Sequence, residues 1–431
     1  MRGINIGALR SFLSFLSLLS LFSFPLLSQT KAKQKETYGI TTLTPPHIND
    51  APNGHYWARL RFWQGIPGIE RAPDGRLWMT WYSGGTGEGK GHNFQLLVTS
   101  DDDGYTWSEP VAIYDPGRQL LGGEAGDGHL WLDKTTGRLW WFVNRYMDAP
   151  GEDPRTNWGF YTDNPDSMSP RWEGPVFGGY GVSLNRETVL SDGTVLHMVD
   201  LRVPLDEKEE GVTKKDAHIY RFINNHSSME KVGKAQIRDT SFPEHMVVEL
   251  RDGRLMLISR TFDNTVVCYS SDRGKTWTTQ TPFSLRVGVS TRSYLSKLAS
   301  GNLLLIVNDS PTTQRKNMTA MLSEDDGATW PYRLVLDERD AVSYPDATES
   351  NNGFIYATYD RGRYNPDMQE ILMAKFTEAD IKAGAPVTPG SRLKQVINAL
   401  NPNGGGVDRD REAYDLQDAS EAFLEELKNN K

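Results

Sequence analysis

The sequence predicts an all-β protein, a six-bladed β-propeller with four-stranded antiparallel blades. Two repeats in the 431-residue chain support this prediction. A turn with glycine, followed by an apolar β-rich run, occurs six times, and the octet Ser/Thr-x-Asp-x-Gly-x-Thr-Trp occurs three times. The 12 Trp, 17 Tyr and 16 Phe residues supply apolar surface for a large core.

The six turns divide the chain into units of similar length. Their glycines are 48 to 62 residues apart, at Gly75, Gly137, Gly193, Gly253, Gly301 and Gly353. Asp-Gly and Asn-Gly between apolar runs are typical of tight hairpins, because these residues accept the positive φ that such turns require. Four short strands with their turns fill one unit, so six units predict six blades.

The octets begin at Ser100, Ser270 and Ser323, in the first, fourth and fifth units. In such a turn the Asp accepts backbone N–H bonds, the Gly permits the turn and the Trp packs between sheets. The octets are therefore predicted to stabilise the fold rather than to take part in catalysis. The run DDDG at 101–104 lacks the alternating ligand spacing of a calcium loop, and the sequence predicts no metal site and no cofactor.

The two ends of the chain differ in character from the repeats. Residues 1–28 carry two arginines and then a Leu/Phe/Ser run, which is typical of a secretory signal peptide. We expect a secreted or periplasmic product without stable membrane insertion after cleavage, with an uncleaved N-terminal anchor as the alternative. Residues 29–54 are predicted to be an N-terminal extension, 55–385 the propeller, and 386–431 a linker with a short C-terminal helix.

The charge of the chain limits its partners. The formal net charge is −9 at pH 7, and loss of the predicted signal peptide, which has no acidic residue, makes the protein more negative. Such a field repels nucleic acid, so a nucleic-acid partner is excluded and an acidic ligand needs a local arginine cluster. The single cysteine, Cys268, lies in the apolar run TVVCYSS and is predicted to be a small buried hydrophobe.

The octets match the Asp-box, and with the six hairpin units the chain resembles the sialidase (neuraminidase) superfamily over about residues 55–380. The resemblance implies a pocket at the propeller axis that holds a Glu, two Arg and a Tyr in that order. Here FPEHMVVELRDGRLMLISR has Glu244 and Arg260, QRKNMTAMLSEDDGATW has Arg315, and VSYPDATESNNG has Tyr344. All four therefore occur in the order that the family uses.

The resemblance implies a role for each of these residues. Tyr344 is the nucleophile, Glu244 the base that activates it, and Arg260 and Arg315 bind the substrate carboxylate in bidentate fashion. A 2-keto sugar acid carries its carboxylate on the anomeric carbon, so a neutral phenol approaches without the repulsion that an anionic nucleophile would meet. Because the ordinary pKa of tyrosine is about 10, the phenol needs an adjacent base.

The chain departs from the family at two positions. In RFWQGIPGIERAPDG, Gly65 stands where the family has the Arg of an Arg-Ile-Pro motif; Arg61 and Arg292 are the predicted substitutes. The family's general acid is an Asp in the next loop, which reads YSGGTGEGKGHNFQ in this chain. Its carboxylate, Glu88, is the predicted acid and His92 is the rival.

Two further pocket residues follow from the resemblance. Asp127 in GGEAGDGHLWLD is predicted to contact substrate hydroxyls or an amide, and Arg186 in GGYGVSLNRETVLSDG is predicted to face the axis with Asn185.

The implied function is a sialidase-like exo-glycosidase that hydrolyses a terminal acidic sugar of a glycan or glycoconjugate with retention of configuration. Sialic acid is the default substrate, and another ulosonic acid or a uronic acid is the alternative because Gly65 removes one arginine. Two other classes stay open: a glycan-binding propeller that has lost catalysis, and a structural or protein-binding propeller.

Overall fold

The computed structural model describes residues 43–89, 92–119, 123–147, 155–202, 214–287, 289–365 and 368–400. The predicted signal peptide at 1–28 and the predicted C-terminal helix lie outside these residues. The strands lie in one compact unit, Pro46–Lys431; the other unit, Met1–Pro45, falls almost wholly outside the description. Among the described residues, no helix has the length and apolar character needed to cross a membrane.

In the described residues, 24 strands form six four-stranded antiparallel sheets, each made of four consecutive strands. Blades I to III contain β1 (Gln64–Arg71), β2 (Leu77–Ser83), β3 (Phe94–Ser100), β4 (Ala112–Tyr114); β5 (Gly123–Asp133), β6 (Arg138–Met147), β7 (Thr156–Thr162), β8 (Glu173–Tyr180); β9 (Thr188–Val189), β10 (Val195–Arg202), β11 (Lys214–Ile223), β12 (Ser228–Arg238). Blades IV to VI contain β13 (Met246–Glu249), β14 (Leu255–Arg260), β15 (Thr265–Ser270), β16 (Thr281–Pro282); β17 (Tyr294–Lys297), β18 (Leu303–Asn308), β19 (Lys316–Ser323), β20 (Tyr332–Asp340); β21 (Val342–Glu349), β22 (Ile355–Arg361), β23 (Gln369–Phe376), β24 (Arg392–Leu400).

Helices are few and short in the described part of the chain. Two 3-10 turns, Gly54–Tyr56 and Ala58–Leu60, precede β1, and α1 (Pro116–Gln119) follows β4. Helix α2 (Glu378–Ala383) lies between β23 and β24 and begins with a capping box, in which Thr377 and Asp380 satisfy each other's backbone N–H groups. The predicted all-β, six-bladed propeller is confirmed.

The six turn glycines each occupy the hairpin between the first and second strands of a blade. Their φ angles are 118° at Gly75 and 77° to 84° at the other five. These values lie in the region that favours glycine, so the repeated glycine is explained by the turn that joins the first two strands.

The ring closes by contacts between blades I and VI without exchange of a strand. Strand β1 packs against β21 and β22. The backbone N–H of Gln64 donates to Gln369 Oε1 at 2.9 Å, and Gln64 Nε2 donates to the Gln369 carbonyl at 3.0 Å. The N–H of Ile66 donates to Asp360 Oδ2 at 2.9 Å. Closure therefore depends on the polar side chains of Gln64, Gln369 and Asp360, which meet at the start of β1.

The strands are apolar over most of their length because each blade lies between two others. Strands β2, β3 and β23, for example, are buried at every position. Both faces of such a strand lie in the core, so the sequence reads as a continuous apolar run rather than an alternation. Cys268 is buried in this core, as predicted, and burial raises the pKa of its thiol to about 11.

The three Asp-boxes join the third and fourth strands of blades I, IV and V and share one geometry. In blade V, Asp325 accepts from the Thr329 N–H at 2.9 Å, the Thr329 hydroxyl at 2.6 Å and the Ser323 hydroxyl at 2.8 Å. These hydrogen bonds, those from Thr329 first, lower the pKa of Asp325 to about 2. In each blade the second strand finishes, and the third strand begins, at the same end. The Asp-boxes follow the third strands and therefore lie at the other end of the blades.

We expect Asp325→Ala to lower the free energy of unfolding by about 1–2 kcal/mol without reducing activity, since it removes three hydrogen bonds in a solvent-exposed turn. Because the folded pKa is depressed, the wild-type contribution is present above about pH 4 and is lost as the pH falls towards 2. Urea unfolding at several pH values measures both effects. Asp272→Ala in blade IV has the same contacts and should match it; unequal losses, or a loss of activity, would contradict the structural role.

The sixth blade continues past the predicted propeller end at residue 385. Strand β24, Arg392–Leu400, pairs with β23 as the outer strand of this blade. Its sequence, RLKQVINAL, is half-exposed over most of its length, since an outer strand has one neighbour only. The polar residues of this edge strand resemble those of a linker, which is why the sequence pattern placed the boundary too early.

Candidate active site

The candidate site lies at the end of the blades where inner strands begin and second strands finish. Glu244 lies two residues before β13, Arg260 is the last residue of β14, Arg315 precedes β19, and Tyr344 lies near the start of β21. Because consecutive strands are antiparallel, all four positions occur at the same end of their blades. Residues from blades IV, V and VI thus meet near the axis.

Tyr344, Glu244 and Arg260 form one hydrogen-bonded group. The Tyr344 hydroxyl donates to Glu244 Oε1 at 2.9 Å, and Arg260 Nη1 donates to the Tyr344 oxygen at 3.0 Å. The same Nη1 lies 3.0 Å from Glu244 Oε2. Tyr344 is 4% exposed and Glu244 7%. A phenol, a carboxylate and a guanidinium from two distant segments therefore share one buried contact.

Both Tyr344 and Glu244 have a backbone conformation that bulky residues rarely adopt. Their φ angles are 57° and 42°, in the left-handed region. Tyr344 lies in a bulge of β21 between Ser343 and Asp346. Bulges redirect side chains, and strained residues of this kind are concentrated at functional sites. The two φ values are thus a second indication of function, independent of the side-chain contacts.

Neighbouring polar groups hold the two strained residues in place. The Glu244 N–H donates to Asp200 Oδ2 at 2.6 Å, and Asn185 Nδ2 donates to the Glu244 carbonyl at 2.9 Å. On the other side, Arg292 Nη2 donates to the Tyr344 carbonyl at 3.0 Å. The backbone on both sides of the reactive contact is therefore fixed by buried hydrogen bonds.

Burial and charge act in opposite directions on the reactive pair. Burial raises the pKa of Glu244, while Arg260 lowers it; the net direction is upward. Burial also raises the pKa of Tyr344, against Arg260 and other nearby arginines. The phenol accordingly keeps its proton in the free protein and donates a hydrogen bond to Glu244. Glu244 is thus placed to accept that proton when the phenol reacts.

Positive charge surrounds the ring of Tyr344. The guanidinium carbons of Arg363, Arg315 and Arg292 lie 4.2, 5.2 and 5.4 Å from the ring centroid. A cavity of about 450 Å³ between the loops of blades V and VI is lined by Arg315, Arg363 and Tyr364, among others. In a chain of net charge −9, this local cluster is suited to an anionic ligand.

The protein family described as a BNR repeat-like domain matches residues 130–357, more than half of the chain. The chain belongs to this family, within the sialidase superfamily. A sialidase from Bacteroides fragilis (strain YCH46) is 25% identical over 315 residues, which cover 70% of this chain and 44% of the relative. The chain thus spans less than half the length of that curated relative.

Solved structures with a similar fold include several sialidases. The intramolecular trans-sialidase from Ruminococcus gnavus, in complex with oseltamivir carboxylate, has a TM-score of 0.59 and 15% identity, over 78% of this chain and 98% of its own. The Hadza microbial sialidase Hz136 has a TM-score of 0.57 and 20% identity, over 70% and 64%. A Dyadobacter fermentans protein of unknown function has a TM-score of 0.56 and 16% identity, over 73% and 95%. At these identities the likeness shows the fold alone.

The two predicted substitutes for the first arginine of the sialidase family are already engaged. Arg292 is 1% exposed and donates to the carbonyls of Leu184, Pro67 and Tyr344 at 2.9 to 3.1 Å. Arg61 Nη2 donates to Asn398 Oδ1 at 3.1 Å, at the junction of blades I and VI. Arg292 therefore supports the Tyr344 backbone, and the structure does not bring Arg61 to the Tyr344 group.

Arg186, which was predicted to face the axis and bind substrate, is engaged by carboxylates of two other blades. It forms a buried ion pair with Glu70 and lies 3.6 Å from Asp346 Oδ2. Its donors thus link blade III to blades I and VI, and the structure does not bring it to the Tyr344 contact. The preceding residue, Asn185, does reach the site, through the Glu244 carbonyl.

Glu88, the predicted general acid, is hydrogen-bonded and close to an arginine. The Tyr364 hydroxyl donates to Glu88 Oε2 at 2.5 Å, and Arg363 Nε lies 3.8 Å from the same oxygen. Burial raises the pKa of Glu88, but Arg363, Tyr364 and Arg315 together outweigh it and the net shift is downward. The rival, His92, is exposed on the same loop.

Asp127 has the opposite titration behaviour. Burial, followed by the negative charges of Glu88 and Glu244, raises the pKa of Asp127 to about 7. It lies in a bulge of β5, where its Oδ2 accepts from the Tyr146 hydroxyl at 3.3 Å. Its Oδ1 is buried and has no hydrogen-bond partner among the described residues. At neutral pH this carboxyl is therefore partly protonated.

Sequence reasoning missed Arg363, which is nearer to the Tyr344 ring than Arg315 or Arg292. One signal was present in the run YDRGRYNPD. Arg361 ends β22, the second strand of its blade, as Arg260 ends β14. The loop that follows a second strand lies at the pocket end of the propeller, and Arg363 is in this loop.

A buried His-Glu-His cluster lies between blades II and III. Glu187 Oε1 is 3.2 Å from His129 Nε2 and 2.8 Å from His197 Nδ1. Burial raises the pKa of Glu187, but the two histidines outweigh this effect and lower the pKa to about 2. The three ligand atoms lie within 4.8 Å of one another, and the distances to Glu187 are those of hydrogen bonds. The cluster joins two blades.

Proposed function

We propose that the protein is a retaining exo-glycosidase that removes a terminal acidic sugar from a glycan, and that it is exported by the signal peptide predicted at residues 1–28. The observation that carries this proposal is the 2.9 Å hydrogen bond from the Tyr344 hydroxyl to Glu244, with Arg260 in contact with both. A buried phenol with a carboxylate acceptor and a cation at its oxygen is an activated nucleophile. Membership of the sialidase superfamily supports the same chemistry.

In the first step, Arg260 and Arg315 bind the sugar carboxylate and the Tyr344 oxygen attacks the anomeric carbon. Glu244 accepts the phenolic proton as the new C–O bond forms, and the bond to the leaving oxygen breaks as that oxygen receives a proton from a general acid. In the second step, the general acid, now ionised, accepts a proton from the water that attacks the same carbon, and the Tyr344 oxygen leaves with the proton returned by Glu244. Two displacements at one carbon retain its configuration.

The general acid in this proposal is Asp127. Its buried carboxyl has an unpartnered oxygen among the described residues and a pKa of about 7, whereas the pKa of Glu88 is lowered. Carboxyls whose environments move their pKa values apart take opposite roles, and the one that keeps its proton is the acid. Glu88 then orients Arg363 and Tyr364, which it contacts.

Arg260 supports a 2-ulosonic acid over a uronic acid as the substrate. This arginine contacts the attacking oxygen itself, at 3.0 Å. The carboxylate that it binds must therefore lie close to the carbon under attack. In a 2-ulosonic acid such as sialic acid the carboxylate is attached to that carbon, whereas in a uronic acid it lies across the ring.

The second candidate function is a glycan-binding propeller without catalysis, and the observation in its favour is Gly65. A family member that lacks the first arginine has lost one charge-assisted contact to the substrate, a contact worth on the order of 1.5–3 kcal/mol. The remaining cationic cavity would still bind an acidic sugar. Turnover therefore decides between the two candidates.

The test is a panel of α-glycosides of sialic acid, other ulosonic acids and uronic acids, each paired with its methyl ester. We expect release from an ulosonic acid glycoside, on the order of 10²-fold slower from its ester, because the ester removes the charge that the arginines bind. Proton NMR of the first product should show the α-anomer. Binding without release from any member would favour the glycan-binding candidate, and a first-formed β-anomer would contradict retention.

A further inference from the structure

The space left by the missing side chain at Gly65 is occupied by a side chain from another blade. A Cβ atom at Gly65 would lie 2.4 Å from Arg363 Cδ and 3.0 Å from Arg363 Cγ. At the first distance the Arg363 side chain would have to move, and the second is tighter than most Cβ contacts. Glycine at this position therefore leaves room for the stem of Arg363, from blade VI, which passes through the place where a side chain would begin.

Arg363 is fixed in this place from several sides. Its carbonyl accepts a hydrogen bond from Trp63 Nε1 at 3.0 Å, two residues before Gly65. Its Nη1 lies 3.7 Å from Asp360 Oδ2 and its Nε 3.8 Å from Glu88 Oε2. These distances are too long for hydrogen bonds, so the two carboxylates balance the charge without using the donors.

The donors of Arg363 are the reason to infer a ligand. The residue is 3% exposed, and its Nε and Nη1 have no hydrogen-bond partner among the described residues. Arg315 Nη1 also lacks one among these residues, and both arginines line the same cavity. Buried donors without partners are costly in the free protein. Arg292 also has an unpartnered Nε among the described residues, but its two terminal nitrogens donate to three carbonyls.

We propose that Arg363 replaces the arginine absent at position 65 and binds the substrate carboxylate together with Arg260 and Arg315. This inference rests on the function proposed above. The guanidinium thus comes from the loop after β22 instead of from β1, and its carbon is 4.2 Å from the centre of the nucleophile's ring. Glycine at position 65 leaves the space that the Arg363 stem occupies.

The test moves the arginine back to blade I. The variants are Arg363→Ala, Arg363→Lys and the double variant Gly65→Arg/Arg363→Ala, with Arg361→Ala as the matched control. Arg361 is two residues away and pairs with Glu370 at 3.0 Å. Two quantities are measured: kcat/KM with the ulosonic acid glycoside, and affinity for the 2,3-unsaturated analogue of sialic acid by calorimetry.

We expect Arg363→Ala to lower both quantities about 10- to 150-fold, the range that charge-assisted hydrogen bonds give. Arg363→Lys should lower them less, because it keeps the charge and loses the planar fork. The double variant should regain about tenfold or more over Arg363→Ala, and Arg361→Ala should bind and react like the wild type. Recovery in the double variant is the readout that a purely structural role for Arg363 would not produce.

The outcomes separate the two proposals. If the wild-type protein neither hydrolyses the glycoside nor binds the analogue, the proposed function is overturned. If the wild type does both and Arg363→Ala, with an unchanged melting temperature, binds within about twofold of it, Arg363 is not a carboxylate ligand and the function stands. Should Arg363→Ala fail to fold, Arg363→Lys decides: binding equal to the wild type contradicts the proposal, and a loss supports it.

Discussion

Tyr344→Phe is expected to lower kcat/KM for the ulosonic acid glycoside by about 10³-fold or more, because it removes the atom that forms the covalent intermediate. Phenylalanine keeps the ring that Arg363 and Arg315 face, so the cationic cavity is preserved. The substitution removes the hydroxyl that donates to Glu244 and accepts from Arg260. The substitution thus tests the nucleophile with little change in shape.

The matched control is Tyr356→Phe in the same blade. Its hydroxyl donates to Asp103 Oδ1 at 2.6 Å, in the Asp-box of blade I and away from the pocket end. We expect it to cost about 1 kcal/mol of stability and to leave kcat/KM unchanged. The Tyr344→Phe protein should still bind the 2,3-unsaturated analogue, since the arginines remain. Hydrolysis within about tenfold of the wild type by a folded Tyr344→Phe protein would rule out Tyr344 as the nucleophile.

Asp127→Asn is expected to give the second largest effect, about 10²- to 10⁴-fold in kcat/KM, and its size should depend on the leaving group. A natural glycoside leaves as an alkoxide and needs a proton at once. A 4-nitrophenyl or methylumbelliferyl glycoside leaves as a stable phenolate and hardly needs one. Loss towards the first substrate with near-normal rates towards the second is therefore the signature of the general acid.

Glu88→Gln is the comparison that keeps this prediction decisive. Glu88 lies where the family has its general acid, but in this chain it contacts Tyr364 and lies near Arg363. We expect Glu88→Gln to weaken substrate binding, seen in KM, with the same factor for both leaving groups. If the leaving-group dependence appears in Glu88→Gln and not in Asp127→Asn, Glu88 is the acid and Asp127 is not.

The pH profile gives a third view of Asp127. Because its folded pKa is raised to about 7, the protonated, active form is lost as the pH rises through that value. We therefore expect wild-type kcat/KM to fall on the alkaline side with an apparent pKa near 7, and the fall to be absent in Asp127→Asn. The free energy of unfolding should depend on the same group, because a raised carboxyl pKa destabilises the fold increasingly from about pH 4 upward. Asp127→Asn should therefore unfold at a higher denaturant concentration than the wild type at neutral pH.

The sequence alone determined the repeat and its consequence for the fold. Each turn glycine is required by the φ of its own hairpin, and each Asp-box satisfies hydrogen bonds within eight residues. Such requirements are local, so they leave a pattern along the chain that predicts six blades. The order of Glu244, Arg260, Arg315 and Tyr344 was likewise readable, and the structure brings them to one end of the propeller.

The tertiary structure alone decided which charges surround the phenol. Arg186 and Arg292 have pocket-like positions in the sequence, but carboxylates and carbonyls of other blades engage their terminal nitrogens. Arg363 was identified by its distance to the Tyr344 ring and by its stem, which passes over Gly65, 298 residues earlier in the chain. Neighbours across a blade interface decide whether the donors of a guanidinium are engaged. These neighbours come from distant segments of the chain, and no repeat in the sequence indicates which segments meet.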